Sequence, residues 1–123
     1  MKFINTSNIF SNIKARDAIY IDNLIQTNTK GKLTLKGTVN SFYLVNNPKN
    51  LLTKFEITFY QIRMFSCTSL DFSLLDKDMV SNFNIISDSI FILDNKLSDY
   101  NHFVLSTYDY VYEIVAKDYE ITY

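Results

Sequence analysis

Apolar and polar residues alternate most regularly from Lys32 to Val39, where the sequence reads KLTLKGTV. A period of two places Leu33 and Leu35 on one face of a strand and the lysines on the other. The preceding residues 15–26 read ARDAIYIDNLIQ, and their isoleucines favour a second strand, although part of the stretch also fits helical spacing. Residues 27–31, TNTKG, favour a turn, so the pattern predicts a β-hairpin whose loop exceeds two residues.

The N-terminal residues 4–14 carry isoleucine and phenylalanine near helical spacing. Thr6 and Ser7 belong to the residue types that accept hydrogen bonds at the N-termini of helices. This segment predicts either a short helix or an irregular arm, and the pattern favours neither.

After the hairpin, we expect extended chain over residues 42–45 and a break at residues 46–50, NNPKN, because proline lacks a backbone donor and asparagine tolerates turns. Residues 51–65 form a long apolar stretch in which the buried parity changes near Tyr60. We expect a β-bulge near Tyr60 to re-aim the strand, in preference to burial of both faces. The residues that change parity are Phe55, Ile57 and Phe59 on one face and Ile62 and Met64 on the other.

The middle of the chain predicts shorter elements. Residues 66–72 read as a strand, and residues 73–80 are polar enough for a loop with at most one helical turn. Residues 81–93 are apolar on both sides of Asp88, which predicts one strand or a pair of strands. Residues 94–101 form a charged connection.

The C-terminal residues 102–123 are the richest in β-branched and aromatic side chains. Such side chains fit a pleated, half-buried surface, so we predict two strands, at residues 102–106 and 111–123, joined around Tyr108–Tyr110. A helix remains an alternative for the second, because apolar residues also recur there at helical intervals.

Several short strands without alternating helices predict a mainly β fold built from antiparallel strands, either a sandwich or a strongly curved sheet, with at most a short N-terminal helix. The chain has 123 residues, of which 47% are hydrophobic and 20% charged. This length and composition suit a single domain spanning residues 1–123.

The net charge is −1, so no overall positive field attracts nucleic acid or an anionic membrane, and we expect neither partner. The chain has one cysteine, which excludes an intramolecular disulfide and suits a reducing compartment. The first residues lack the apolar core of a signal peptide, and no run is long enough to span a bilayer. We therefore expect a cytoplasmic protein.

Residues capable of catalysis are sparse. Cys67 and His102 are the single cysteine and the single histidine, and neither lies in a nucleophile motif. We interpret them as a partly buried thiol and a hydrogen-bonded histidine at the start of a strand, and expect both to be dispensable for function. Asp71, Asp76 and Asp78 lack the glycine and terminal glutamate of a calcium loop, and two glycines are too few for a glycine-rich phosphate loop. We predict no catalytic residue, metal or cofactor, and no enzyme.

The C-terminal tyrosines and carboxylates are the one constellation that suggests binding. Tyrosine presents a large apolar body with a polar tip, which suits either the margin of a core or a protein interface. Acids dominate this end of the chain, whereas bases dominate residues 1–36, so a basic partner or a second copy is a candidate. The predicted partner-binding residues are Tyr108, Asp109, Tyr110, Tyr112, Glu113, Asp118 and Glu120.

The segments ARDAIYIDNLI, KLTLKG, KFEITFYQI, SLDF and HFVLSTYDYVYEIVAKDYEI together resemble small bacterial immunity proteins, which are associated with toxins used between competing cells. This resemblance implies a small, cytoplasmic, mainly β protein that binds and blocks a cognate toxin without catalysis, and a cationic nuclease-type toxin would suit an acidic inhibitor. Two alternatives remain: a self-associating structural subunit, and an enzyme with an unrecognised site.

Overall fold

The computed structural model describes residues 1–27, 29, 31–44 and 52–123, apart from the side chain of Asp76. Parts of the turn predicted at residues 27–31, and all of the break predicted at residues 46–50, lie outside this description. Among the described residues there are nine strands and one short α-helix. They are β1 (Phe3–Asn5), β2 (Ile19–Thr27), β3 (Lys32–Asn40), β4 (Leu52–Tyr60), β5 (Met64–Ser69), β6 (Phe83–Ile86), α1 (Ile90–Asp94), β7 (Asn101–Ser106), β8 (Tyr110–Ala116) and β9 (Asp118–Thr122).

The strands form two antiparallel sheets. One has five strands in the order β1-β6-β7-β8-β5, and the other has four in the order β2-β3-β4-β9. The predicted hairpin is β2–β3, with Ile19 opposite Val39 and Thr27 opposite Lys32. The prediction of a mainly β, antiparallel fold is confirmed.

Aromatic side chains fill the space between the sheets. The Phe59 ring on β4 lies 5.4 Å from Phe103 and 6.2 Å from Phe83, measured between ring centroids, and both of these rings belong to the opposite sheet. Tyr119 on β9 reaches the same two rings at 5.1 and 5.3 Å. The sheets therefore pack face to face as a sandwich. The five residues predicted to be buried together do lie in this core: Leu33, Leu35, Phe55, Ile57 and Phe59.

The N-terminal segment is an irregular arm after β1, and it contains no α-helix. Thr6 does not cap a helix: its hydroxyl donates a hydrogen bond to the Phe83 carbonyl at 2.9 Å and extends the β1–β6 pairing. Phe10 is fully buried, and its ring packs against Phe55 at 5.1 Å. The arm is not a regular strand, yet it contributes the Phe10 ring to the core.

The bulge predicted near Tyr60 is wrong. The chain leaves β4 at Tyr60, passes through Gln61 with a positive φ of 54°, and enters β5 in the other sheet. A second crossing lies beside it, because the Lys117 N–H, between β8 and β9, donates to the Tyr60 carbonyl at 3.0 Å. The parity of the apolar residues changes because the strand changes sheets. For the same reason the predicted strand 111–123 is two strands.

The second half of residues 81–93 is helical, which corrects the prediction of a strand there. Ser89 provides the physical reason, because its hydroxyl accepts a hydrogen bond from the Ile92 N–H at 3.3 Å and caps α1. The predicted strand at residues 66–72 ends at Ser69, and a 3₁₀ turn follows it. The loop at residues 73–80 contains one such turn, Asp76–Asp78, as predicted.

Candidate functional site

The turn between β7 and β8 presents two tyrosines at one end of the sandwich. The Thr107 N–H donates to the Tyr110 carbonyl at 2.9 Å, and the Tyr110 N–H donates to the Thr107 hydroxyl at 3.1 Å. The Tyr108 N–H donates to the Ile19 carbonyl at 2.9 Å, which ties the turn to the opposite sheet. The backbone is therefore fixed, while the Tyr108 and Tyr110 side chains remain 42% and 45% exposed.

The Tyr108 ring contacts two residues from the other half of the sandwich: Tyr20 on β2, and Arg16 just before β2. Its ring centroid lies 5.2 Å from that of Tyr20. The Arg16 guanidinium lies 5.5 Å from the same ring and 3.8 Å from the Asp71 carboxylate. Arg16 belongs to the basic N-terminal part of the sequence, yet it lies beside Tyr108 of the acidic C-terminal part. The basic and acidic parts of the chain are therefore not separated in space at this end of the sandwich.

The segment after β3 extends the same surface. The Tyr43 hydroxyl donates to the Asp17 carboxylate at 2.6 Å, and this hydrogen bond raises the pKa of Tyr43. The Phe42 ring meets the Tyr43 ring edge-on at 5.5 Å and is 61% exposed. Burial, followed by the negative charge of Asp17, raises the pKa of Tyr20. The phenol groups of Tyr20 and Tyr43 are therefore neutral at neutral pH.

We call this surface the aromatic end. It combines five aromatic rings with three carboxylates and one guanidinium, so its formal charge is negative. Its members are Arg16, Asp17, Tyr20, Phe42, Tyr43, Asp71, Tyr108, Asp109 and Tyr110.

The seven residues predicted to bind a partner do not lie on one surface. Tyr108, Asp109 and Tyr110 belong to the aromatic end. Tyr112 is only 5% exposed because its position on β8 faces the core, and burial raises its pKa to about 12. It is a core residue and offers no contact surface. The remaining three are Glu113, on the outer face of the five-stranded sheet, and Asp118 and Glu120, exposed on β9.

Sequence reasoning missed the other half of the aromatic end. Arg16, Tyr20 and Tyr43 are more than sixty residues from Tyr108, and only the packing of the two sheets brings them together. A signal was nevertheless present in ARDAIY, where an arginine precedes the start of a strand and a tyrosine lies within it, since both residue types are enriched at binding hot spots.

The outer face of the five-stranded sheet holds a hydrogen-bonded serine, histidine and glutamate. Ser89 Oγ lies 2.7 Å from His102 Nδ1, and His102 Nε2 lies 3.0 Å from Glu113 Oε1. A carboxylate only accepts hydrogen bonds, so in the neutral imidazole Nε2 carries the proton and Nδ1 accepts from Ser89. The three line a cleft of about 280 Å³, together with Ile90 and Phe91 of α1.

A hydroxyl, an imidazole and a carboxylate in series are also the groups that activate a serine nucleophile. Here each group has a structural task. Ser89 caps α1, and both nitrogens of the buried His102 are satisfied, which removes the cost of burying an unpaired polar ring. The network joins α1, β7 and β8, and we interpret it as a clamp that holds the helix on the sheet. The expectation that His102 is hydrogen-bonded near a strand start is confirmed.

Glu113 makes this clamp sensitive to acid. The hydrogen bond from His102 lowers the pKa of Glu113 below its ordinary value of 4.5, and partial burial opposes this only in part. The unfolded chain therefore takes up the proton first as pH falls. The stability that Glu113 contributes is complete above pH 4.5 and is lost as pH falls through the folded-state pKa.

We therefore expect the free energy of unfolding to fall more steeply in the wild type than in Glu113→Gln as the pH is lowered through 4.5 and below it. Urea unfolding at a series of pH values measures both curves. His102→Ala removes the donor to Glu113 and should flatten the same slope. Parallel curves for all three proteins would show that the hydrogen bond does not perturb Glu113.

Cys67 lies on β5 and is exposed, which corrects the expectation of a partly buried residue, although desolvation of its thiol raises its pKa. Within the described residues, no group of three or more histidine, cysteine, aspartate or glutamate side chains is arranged to hold a metal ion. Asp71 instead faces Arg16, and the side chain of Asp76 lies outside the description. None of the helices in the described ranges has the length and hydropathy needed to cross a membrane.

Comparison with known proteins leaves the family open: no family model, no curated protein and no solved structure matches this chain. The resemblance to immunity proteins therefore stays a prediction.

Proposed function

We propose that this protein is a non-enzymatic binding module that contacts a protein partner through the aromatic end. The carrying observation is the pair of exposed tyrosines, Tyr108 and Tyr110, on a turn whose backbone is fixed by hydrogen bonds. A fixed turn loses little conformational entropy on binding, so more of the contact energy is available as affinity.

The composition of the surface supports this proposal. Tyrosine and arginine are the residue types most enriched at binding hot spots, and the aromatic end presents both in direct contact, at Arg16 and Tyr108. Loops from two packed sheets meet there, as they do at the binding ends of other sandwich domains. The excess of carboxylates suits a basic partner, because opposite charge accelerates encounter.

A cognate bacterial toxin is the partner that we propose, with the protein acting as a cytoplasmic immunity protein. The toxin would be blocked by direct, stoichiometric contact, and a cationic nuclease-type toxin fits the acidic character of the aromatic end. The proposal requires no metal, cofactor, nucleic acid or membrane.

The test uses the purified toxin candidate encoded beside this protein. Tyr108→Ala should raise the dissociation constant about tenfold or more, since truncating a hot spot costs about 2 kcal/mol. Its unfolding free energy should fall by only about 1 kcal/mol, the worth of the lost contacts with Tyr20 and Arg16 at a partly exposed site. Tyr123→Ala is the matched control, a tyrosine that is 74% exposed but lies outside the aromatic end. Calorimetry gives affinity and urea unfolding gives stability.

Charge reversal locates the surface independently. Asp109→Lys should slow association, and added salt should slow wild-type association. Asp118→Lys and Glu120→Lys, on β9, should have a smaller effect. If Asp118→Lys and Glu120→Lys slow association more than Asp109→Lys does, the contact surface lies on β9 and not at the aromatic end. The Cys67→Ala and His102→Gln variants should still bind the toxin if they fold. Inactivation of the toxin by the wild-type protein without formation of a complex would favour the enzyme alternative.

A further inference from the structure

The second half of β2 is an open strand edge. Among the residues that the structure describes, β2 is the outermost strand of the four-stranded sheet and pairs on one side only, with β3. All six residues from Asp22 to Thr27 are exposed. Leu24 and Ile25 among them are 38% and 43% exposed. An edge strand presents unpaired N–H and C=O groups, which are a template for another strand.

The other three edges in the two sheets are less suited to pairing. β1 has only three residues, and β9 carries the exposed carboxylates Asp118 and Glu120. Five of the six residues of β5 are half-buried. Short length and edge charge are the usual protections against edge-to-edge association. Residues 23–27, NLIQT, contain no charge and no proline, so this part of β2 has neither protection.

We propose that β2 pairs antiparallel with β2 of a second copy of this chain, around a two-fold axis near Leu24 or Ile25. A two-fold interface places the same patch on both copies, so any charge at its centre would face itself. An axis at Ile25 puts Ile25 against Ile25 and Leu24 against Gln26. An axis at Leu24 puts Asp22 against Gln26. Neither arrangement opposes like charges, and each covers apolar surface while satisfying backbone groups.

The bulge in β2 limits the paired segment and separates it from the aromatic end. The register with β3 shifts between Ile21 and Asn23, which bends the strand at Asp22, where the exposed half begins. Tyr20 lies on the other side of this bend. The dimer would therefore leave both aromatic ends free, and two linked contact surfaces give avidity toward a partner with two sites. The interface does not depend on the proposed function.

The interface is small. A single pairing of about five residues buries less than the roughly 1,200 Å² of a stable complex, so we expect a dissociation constant on the order of 100 μM. Sedimentation velocity from about 10 μM to about 1 mM should show a monomer–dimer equilibrium in that range. Amide exchange should show protection of residues 23–27 that increases with protein concentration.

Ile25→Lys should abolish the dimer, because it places two lysines near the axis, while the exposed position leaves the fold intact. Leu93→Lys is the control: Leu93 is 70% exposed on α1, outside β2, and its replacement should leave dimerisation unchanged. A protein that stays monomeric at 1 mM, a dimer that persists in Ile25→Lys, or wild-type amides at 23–27 that ignore concentration would each overturn the proposal. Because amide exchange is measured on the wild type, it tests the proposed dimer even if Ile25→Lys fails to fold.

Discussion

Phe59→Ala should lower the free energy of unfolding by about 3 to 5 kcal/mol, the cost of removing a buried aromatic ring and leaving a cavity. Phe59 is fully buried, and its ring contacts Phe83, Phe103 and Tyr119 at centroid distances of 5.4 to 6.2 Å. The four rings come from four different strands, two in each sheet, so the core cannot close over the space without moving both sheets. Because domains of this kind are stable by about 5 to 15 kcal/mol, the loss is a large share of the total.

Urea unfolding followed by circular dichroism measures this change. Phe72→Ala is the matched control, since Phe72 is 80% exposed and its truncation should cost less than about 0.5 kcal/mol. A cost below about 1 kcal/mol for Phe59→Ala would place that ring outside the core. Equal costs for the two variants would contradict the arrangement of the sheets.

The residues on β3 and β4 show why much of the fold could be predicted from sequence. Leu33 and Leu35, and likewise Phe55, Ile57 and Phe59, alternate with polar residues, and a strand with one buried face imposes that period. The crossing at Gln61 could not be predicted in the same way. A change of sheet and a bulge both invert the parity of the residues that follow, so the pattern alone does not separate them.

The candidate site shows the same limit at the level of tertiary contacts. The proximity of Tyr108 and Tyr110 could be predicted, because they flank a turn within one local stretch. Tyr20 and Arg16 join them only through the packing of the opposite sheet, which local periodicity does not encode. Ser89 and Glu113 meet at His102 for a similar reason, since α1 folds back over β7 and β8.

Gly37 lies opposite the part of β2 that contains both the bulge and Tyr20 of the aromatic end. A Cβ atom at Gly37 would lie 1.9 Å from the Tyr20 carbonyl oxygen and 3.0 Å from Ile21 Cα, both of them backbone atoms. Gly37 pairs with Ile21, immediately before the register shift. No side-chain rotation relieves such a contact, so any residue other than glycine must push the two strands apart beside Tyr20.

Gly37→Ala should therefore destabilise the fold by about 3 kcal/mol or more, at or above the upper end of typical overpacking costs. Gly31 is the control: it has a positive φ of 58°, but the nearest atom to an added Cβ lies 3.5 Å away. Gly31→Ala should cost only about 1 to 2 kcal/mol, and Gly31→Asn less, because asparagine tolerates the left-handed region. Gly37→Asn should show no such recovery, since the obstacle is space and not φ.

In a partly folded Gly37→Ala protein, partner binding should weaken beyond the loss of folded protein, because Tyr20 is displaced from Tyr108. If all four variants unfold at the same urea concentration, the close approach of β2 to Gly37 is wrong.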